Sequence, residues 1–283
     1  MHSDKLQAGR RGVPPFLYLD SAENGRMVMM QMETEYILHE GERLEPLSKW
    51  ISVIVGNGYT FNTDTILLAW FSMPKKGETC ADFGTGCGTI PLLWCARSQP
   101  AAVYAVEIQS VACDMAWRSV AFNSLDETVQ VMKCDVREFG SQADVTRGSF
   151  DLIACNPPYQ AAGAGIVSAA EGERIARHET VCGFSEIAAS AAELLRWGGR
   201  FCCCMRPERL CDTMIALREA GLEPKRLRFV QQKTSSAPFL FLLQANRGGR
   251  PGVKVEPVLF VEENGTFSEE MLRIYGDYKE RKI

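Results

Sequence analysis

Apolar strand-like runs alternate with segments of helical spacing through the middle of this 283-residue chain. Because a strand followed by a helix returns to its sheet in a parallel sense, this order predicts an α/β fold with a doubly wound, Rossmann-like and mostly parallel sheet. The predicted strands are Thr79–Phe83, Ala101–Glu107, Val129–Cys134, Phe150–Cys155 and Arg200–Met205, and the predicted helices are Ile90–Arg97, Gln109–Asn123, Phe184–Trp197 and Pro207–Ala220. Two further runs, Leu227–Gln232 and Pro238–Ala245, have a short connection that predicts a C-terminal antiparallel hairpin.

The alternating pattern divides the chain into three parts. Residues 51–247 are predicted to form the sheet domain, residues 1–50 an N-terminal extension and residues 248–283 a C-terminal tail. At 46% hydrophobic residues the chain can bury one substantial core. The sequence contains no repeat or low-complexity tract.

Composition narrows the function classes. A net charge of −4 argues against indiscriminate coating of nucleic acid, although it allows a local basic patch. Eleven cysteines with no C-x-x-C pair, three of them consecutive at 202–204, predict free thiols in a reducing compartment. Only three histidines are present, which argues against a metal site. We find no apolar run long enough for a membrane span, so we expect a cytoplasmic protein without a membrane partner.

A glycine-rich turn follows the first predicted strand. Gly84, Gly86 and Gly88 alternate with other residues between Phe83 and the next helix. Glycines there allow a ligand to approach the backbone, and the helix N-terminus favours an anionic group. The same glycines would also serve an ordinary tight turn between a strand and a helix.

Acidic residues end the next two strands. Glu107 closes the second strand, where a carboxylate can accept hydrogen bonds from ribose hydroxyls, and Asp135 closes the third. Dinucleotide sites favour a third glycine where this chain has Thr89, and Asp82 before the turn would repel a pyrophosphate. The positive charges of S-adenosylmethionine, which has no phosphate, suit Asp82 better.

The tetrapeptide Asn156-Pro157-Pro158-Tyr159 follows the fourth strand. Proline cannot extend a strand ladder, so the strand must end there. The Asn156 side chain and the Pro157 carbonyl can accept hydrogen bonds from an NH2 group, and the Tyr159 ring offers a face to a planar ring. The tetrapeptide therefore indicates a site for a planar amine.

In this order, the glycine turn, the two strand-end carboxylates and the tetrapeptide resemble class I S-adenosylmethionine-dependent methyltransferases that act on exocyclic or amide nitrogens. The resemblance covers about residues 55–245. The segment Tyr59–Ala69 and the run Ala176–Glu179 are similar to the bacterial tRNA(Val) adenine-37 N6-methyltransferase family. Asn62 departs from it, because related chains often have glycine there.

The resemblance implies roles for individual residues. Gly84, Gly86 and Gly88 would pass the methionine part of the cofactor near Asp82, and Glu107 and Ile108 would hold the ribose and the adenine ring. Asp135 and the Val136 N–H would bind the adenine edge. Phe61, Thr63, Asp64 and Thr65 would close over the methionine end. Asn156 and Pro157 would hold the target amine, with Pro158 and Tyr159 against its ring.

Basic residues suggest an RNA substrate. Lys225, Arg226, Arg228 and Lys233 lie on or near the predicted hairpin, and Arg177 and His178 lie in the loop after the tetrapeptide. Such residues can contact phosphates, but on an edge strand they can equally prevent aggregation. The resemblance implies methylation of adenine N6 in tRNA. We expect the protein to be a monomer. The motif also allows guanine N2 of rRNA, DNA adenine or a release-factor glutamine as the target.

Overall fold

The computed structural model describes residues 38–157 and 183–276, which fall within one compact unit. The described strands are β1 Glu42–Pro46, β2 Ser52–Gly56, β3 Thr79–Phe83, β4 Ala102–Glu107, β5 Val129–Lys133, β6 Phe150–Cys155, β7 Leu195–Met205, β8 Leu222–Gln231, β9 Pro238–Arg247, β10 Lys254–Val255, β11 Leu259–Phe260, β12 Glu262–Glu263 and β13 Thr266–Phe267. The described helices are α1 Thr63–Phe71, α2 Thr89–Arg97, α3 Ser110–Phe122, α4 Phe184–Leu194, α5 Leu210–Glu219 and α6 Glu269–Tyr275.

Nine of these strands form a mixed sheet in the order β10-β8-β9-β7-β6-β3-β4-β5, with β11 also paired to β8. Strands β7, β6, β3, β4 and β5 are mutually parallel, and β9 runs antiparallel to both β7 and β8. The prediction of a mostly parallel α/β sheet with a C-terminal hairpin is confirmed. The chain moves outward from β3 to β5 and then crosses to β6, so the strand order reverses between β3 and β6. Open α/β sheets bind ligands at the carboxyl ends of strands at such a point.

An aromatic cluster packs between the end of β3 and the start of β6. Phe83, Phe139 and Phe150 are each at most 1% exposed. Phe139 packs edge-on against Phe83 and Phe150, with ring centroids 5.9 and 5.8 Å apart. Edge-to-face contacts add to the free energy gained by burial alone. The cluster therefore fixes β3 and β6 beneath the point where the strand order reverses.

A separate hairpin, β1–β2, attaches to helix α3 rather than to the large sheet. The Ser119 Oγ accepts from the Ile54 N–H at 2.9 Å, and the Asn123 side chain both accepts from and donates to the backbone of Ser52. A bidentate pair between Arg118 and Glu42 joins the other strand to the same helix. Side chains of α3 thus satisfy backbone groups that an edge strand would otherwise expose.

Four predicted boundaries were wrong by three or more residues. Strand β7 starts at Leu195 instead of Arg200, and β8 starts at Leu222 instead of Leu227. Helix α4 ends at Leu194 instead of Trp197, because Leu195 has extended backbone angles and pairs with Phe150 in the sheet. The segment from Pro207 begins as a short 3-10 turn, and α5 starts only at Leu210. At the end of α4, pairing in the sheet therefore overrides the local helical pattern.

The strand pairings reach beyond both predicted domain boundaries. On the N-terminal side, β1 pairs with β2 across residue 50, and on the C-terminal side β10 and β11 pair with β8. Helix α6 follows, with its Tyr275 hydroxyl 3.1 Å from the Thr63 hydroxyl of α1. The division into extension, domain and tail at residues 50 and 247 stays a prediction.

Candidate active site

A cavity of about 300 Å³ lies at the carboxyl ends of β3, β4, β5 and β6. This volume is at the lower end of the range for small-molecule sites. The cavity is lined by Gly58, Tyr59, Thr60, Phe83, Gly84, Gly86, Val106, Glu107, Ile108, Gln109, Cys134, Asp135, Val136, Cys155, Asn156, Pro157 and Ile187. Eight residues that the sequence singles out are therefore brought together: Gly84, Gly86, Glu107, Ile108, Asp135, Val136, Asn156 and Pro157.

The glycine turn forms one wall of the cavity. Gly84 and Gly86 have φ angles of +72° and +57°, and no atom lies within 4 Å of the position that a Cβ would occupy on either. The N–H groups of Gly84 and Thr85 donate to the Val106 carbonyl at 2.9 and 3.0 Å, which ties the turn to β4. The turn thus presents bare backbone to open space. Gly88 instead packs against Ala116 of α3 and does not line the cavity.

Glu107 lies at the end of β4 with only 5% of its surface exposed. Its Oε2 accepts from the Gly86 N–H at 2.9 Å, and its Oε1 accepts from the Gln109 N–H at 2.8 Å. Two backbone donors orient the carboxylate firmly. Each oxygen retains a second lone pair for a ligand hydroxyl.

Asp135 follows β5 and lines the cavity. The Arg137 guanidinium donates to both of its oxygens, at 2.6 Å to Oδ2, and the Arg137 backbone N–H donates to Oδ1 at 2.9 Å. These hydrogen bonds lower the pKa of Asp135 below its ordinary value, although partial burial acts in the opposite direction. The carboxylate is therefore held ionised at the cavity wall.

Asp82 is buried behind the glycine turn and is not a lining residue. It is 1% exposed, and neither carboxylate oxygen has a hydrogen-bond partner among the described residues. Burial raises the pKa of Asp82 to about 8, the nearby Thr85 hydroxyl partly offsets this, and the charge of Glu107 adds to it. An unpaired buried carboxylate is costly, and it is suited to receive a cation.

Asn156 and Pro157 lie at the end of β6, on the opposite side of the cavity from Glu107 and Asp135 in the strand order. The Asn156 Nδ2 donates to the Thr65 Oγ1 at 3.2 Å, and its Oδ1 accepts from the Cys204 Sγ at 3.1 Å. Thr65 thereby contacts the tetrapeptide. Pro158, Tyr159, Arg177 and His178 lie outside the described residues.

The residues around the start of α1 differ in whether they line the cavity. Phe61, Thr63, Asp64 and Thr65 do not line the cavity, whereas Gly58, Tyr59 and Thr60 do. The Tyr59 hydroxyl donates to the Gln109 Oε1 at 2.6 Å and so joins this segment to the start of α3.

The predicted basic residues do not line the cavity either. Arg226 donates to Glu256 at 2.8 Å and lies over the Phe71 ring, and Arg228 forms two 2.7 Å hydrogen bonds with Glu270. The Lys225 Nζ donates to the Arg250 carbonyl. Lys233 is exposed in the β8–β9 turn, which lies at the same sheet edge as the cavity because β8 runs parallel to β7.

Several lining residues were not singled out from the sequence. Gln109, Cys134, Cys155 and Ile187 complete the walls. Burial raises the pKa of Cys134 to about 11, so its thiol is neutral there. Cys134 and Cys155 could have been predicted as lining residues, because they end predicted strands directly before Asp135 and Asn156. Nothing in the sequence indicates that Ile187, which lies on a helix distant in sequence, lines the cavity.

Two features are absent from the described range, residues 38–157 and 183–276. Within this range, no three histidine, cysteine or acidic side chains are grouped as metal ligands would be. Within the same range, no helix is both long enough and apolar enough to cross a membrane.

Comparison with known families matches residues 62–216 to the methyltransferase small domain. The match covers more than half of the chain, and the chain belongs to this family of S-adenosylmethionine-dependent methyltransferases. The site fits such a cofactor, because the oriented Glu107 carboxylate lines the cavity and the glycine turn leaves open space beside its backbone. The Asp82 carboxyl, buried behind that turn, has no hydrogen-bond partner among the described residues.

Curated relatives give a more particular likeness. A tRNA1(Val) (adenine(37)-N6)-methyltransferase from Flavobacteriaceae bacterium (strain 3519-10) is 25% identical over 78% of this chain and 92% of its own length. A protein of the same name from Phocaeicola vulgatus is 29% identical over 64% of this chain and 74% of its own. Among solved structures, a predicted O-methyltransferase from Agrobacterium tumefaciens is 19% identical, with a TM-score of 0.61 over 76% of this chain and 97% of that one, which shows the fold alone.

Proposed function

We propose that this methyltransferase modifies the exocyclic N6 amine of an adenine in RNA, with adenine 37 of tRNA(Val) as the particular target. The observation that carries the proposal is the presence of Asn156 and Pro157 in the wall of the same cavity as Gly84 and Glu107. An amine held by the first pair lies beside whatever the second pair holds. The names of the curated relatives support adenine 37 as the target.

The cofactor assignment builds on the same cavity. Glu107, already oriented by two N–H groups, would accept from the ribose hydroxyls, and Ile108 would pack on the adenine ring. Asp135 and the Val136 N–H would bind the edge of that ring, and Asp82 would attract the ammonium group. When bound, S-adenosylmethionine supplies an electrophilic methyl group.

The chain's own contribution to the reaction is to orient and activate a weak nucleophile. The lone pair of adenine N6 is delocalised into the ring, so the free amine reacts poorly. Hydrogen bonds from its two N–H groups to the Asn156 Oδ1 and the Pro157 carbonyl would move electron density toward nitrogen and offset its developing positive charge. A well-placed group of this kind contributes roughly 2–4 kcal/mol to catalysis.

A tRNA anticodon loop also suits a cavity of this kind. A base must leave its stack to enter a cavity of this kind, and an anticodon-loop nucleotide is already poorly paired, which lowers the cost. Lys233, at the cavity edge of the sheet, would contact the RNA backbone. The proposed substrate places the protein in the cytoplasm.

The test is methyl transfer from labelled S-adenosylmethionine to total tRNA from a strain that lacks the gene, followed by nucleoside mass spectrometry. We expect N6-methyladenosine, at one position in tRNA(Val), and none with the Asn156→Ala variant. Label in N2-methylguanosine, in DNA or in a protein glutamine would refute the proposal in favour of the other planar amines.

A further inference from the structure

Hydrogen bonds link four polar side chains in a series that passes through Asn156 of the tetrapeptide. Asn62 caps helix α1, Thr65 lies in the first turn of that helix, Asn156 follows β6, and Cys204 lies on β7. The hydrogen bonds run Thr65 to Asn62 at 3.2 Å, Asn156 to Thr65 at 3.2 Å and Cys204 to Asn156 at 3.1 Å. Three elements that are distant in sequence therefore meet at one amide.

The donor and acceptor roles in this series of hydrogen bonds are determined at Asn62. The Thr65 backbone N–H, which can only donate, lies 3.1 Å from the Asn62 Oδ1. The atom at that position must therefore be the amide oxygen rather than the nitrogen. Because the same oxygen lies 3.2 Å from the Thr65 Oγ1, the Thr65 hydroxyl must direct its hydrogen toward Asn62.

The fixed hydroxyl then determines the orientation of Asn156. With its hydrogen committed to Asn62, the Thr65 Oγ1 can only accept, so the Asn156 atom facing it must be the donor Nδ2. The Asn156 Oδ1 consequently faces the other way, where it accepts from the Cys204 thiol. The register supports this contact, because Cys155 pairs with Cys203 and the next residues of β6 and β7 are neighbours.

We propose that Thr65 is a positioning residue that holds the Asn156 amide with its oxygen available to the target amine, and that Asn62 sets the direction. The proposal rests on the function proposed above. A rotated amide would present its NH2 group to the N–H groups of the target, and two donors repel. Thr65 thus acts on the reaction through Asn156 and not by covering the cofactor.

The decisive pair of variants is Thr65→Val and Thr65→Ser. Valine matches threonine in shape but lacks the hydroxyl, whereas serine keeps the hydroxyl. We expect Thr65→Val to lower kcat by about tenfold to a hundredfold, the effect of misdirecting one hydrogen-bonding group, while the dissociation constant of S-adenosylmethionine changes less than about threefold. We expect Thr65→Ser to retain kcat within about threefold. A Thr65→Val variant with weaker cofactor binding and normal kcat would overturn the proposal.

Asn62 provides a second pair. Asn62→Asp keeps both the helix cap and the acceptor, so we expect wild-type kcat, whereas Asn62→Ala removes the acceptor and should reproduce part of the Thr65→Val loss. Equal kcat in the aspartate and alanine variants would contradict the assigned direction. Circular dichroism and urea denaturation check that each variant keeps the secondary structure content and the stability of the wild-type protein.

A spectroscopic measurement keeps this inference separate from the choice of substrate. In protein labelled with 15N-asparagine, the Asn156 side-chain NH2 signal is identified by its loss in Asn156→Ala. We expect that signal to shift in Thr65→Val and to keep its position in Thr65→Ser, whichever substrate is methylated. An unshifted signal in Thr65→Val would overturn the positioning role even if tRNA is the substrate. Absence of methyl transfer to tRNA by wild-type protein would overturn the proposed function alone.

Discussion

The Glu107 carboxylate accepts a hydrogen bond from the backbone N–H of Gly86 at 2.9 Å. With the hydrogen bonds of Gly84 and Thr85 to the Val106 carbonyl, this contact joins the end of β4 to the turn after β3. The carboxylate therefore both lines the cavity and supports the glycine turn. A substitution at Glu107 therefore affects both the binding of ligand hydroxyls and the conformation of the glycine turn.

Glu107→Gln should weaken S-adenosylmethionine binding about tenfold or more. Its new NH2 group would face either the Gly86 or the Gln109 N–H, and both of these are donors. Isothermal titration calorimetry measures the change. Glu127→Gln makes the same chemical change at an exposed position and should bind normally. Equal affinities for the two variants would contradict the role of Glu107.

Asp82→Asn should change stability and affinity in opposite directions. The pKa of Asp82 is about 8 in the folded protein and near 3.8 when exposed, so the folded form loses stability as pH rises from about 4 to 8. Asparagine removes this loss. We expect cofactor-free Asp82→Asn to be more stable than wild type at pH 8, by on the order of a few kcal/mol, and equally stable below pH 4.

The same variant should bind S-adenosylmethionine more weakly, because it lacks the negative charge for the ammonium group. Urea denaturation at pH 4, 6 and 8 measures the stability, and calorimetry measures the affinity. Asp126→Asn, at an exposed position, is the matched control and should alter neither. Normal binding by Asp82→Asn would remove Asp82 from the proposed cofactor site.

Asn156→Ala should abolish turnover while cofactor binding survives. The amide accepts from the target amine in the proposed reaction, and loss of one such group lowers kcat by about a hundredfold to a thousandfold. Single-turnover methyl transfer and cofactor titration separate the two effects. A variant with lower cofactor affinity but unchanged kcat would be inconsistent with an acceptor role.

Lys233→Ala should weaken RNA binding and reduce its salt dependence by the equivalent of about one phosphate contact. Lys233 is exposed at the sheet edge that holds the cavity, whereas Lys225 lies near the start of β8 with its Nζ on the Arg250 carbonyl. Lys225→Ala is therefore the control and should leave the salt slope unchanged. Filter binding of tRNA at several salt concentrations provides the comparison, and equal slopes for the two variants would count against Lys233.

Glu42→Gln should destabilise the fold by roughly 1–3 kcal/mol at neutral pH, because it removes one of the two carboxylates, Glu42 and Asp114, that pair with the buried Arg118 guanidinium. Hydrogen bonding to Arg118 lowers the pKa of Glu42 despite burial, so its contribution is complete above about pH 5 and is lost as pH falls through the lowered value. Urea denaturation of Glu42→Gln and of exposed Glu40→Gln measures this. Equal stabilities at pH 7 would show that the pair contributes nothing.

Much of the sheet could be predicted because each parallel strand is a short apolar run bounded by turn residues. The strand-end residues Glu107, Asp135 and Asn156 come together for the same reason, since parallel strands end at one edge. The end of α4 could not be predicted, because Leu195 continues the helical pattern locally and only the pairing with Phe150 makes it a strand.

The parts of the site that escaped prediction depend on contacts between distant segments. Tyr59 enters the cavity wall because its hydroxyl meets Gln109, fifty residues later. The pairing of Arg226 with Glu256 and of Arg228 with Glu270 likewise could not be inferred, because nothing in the sequence places residues 254–270 beside β8. Basic residues that looked suited to phosphates therefore have carboxylate partners.

Because the β1–β2 hairpin is attached to α3 by side chains, opening of the hairpin would also open the cavity to ligands. An isolated two-stranded hairpin is barely stable in water, so this one persists through Ser119, Asn123 and Arg118. It leads directly into Gly58–Thr60 of the cavity wall. We therefore expect hydrogen exchange at the Ile54 amide, which donates to Ser119, to report sub-global opening of that wall, at a free energy below that of unfolding the nine-stranded sheet.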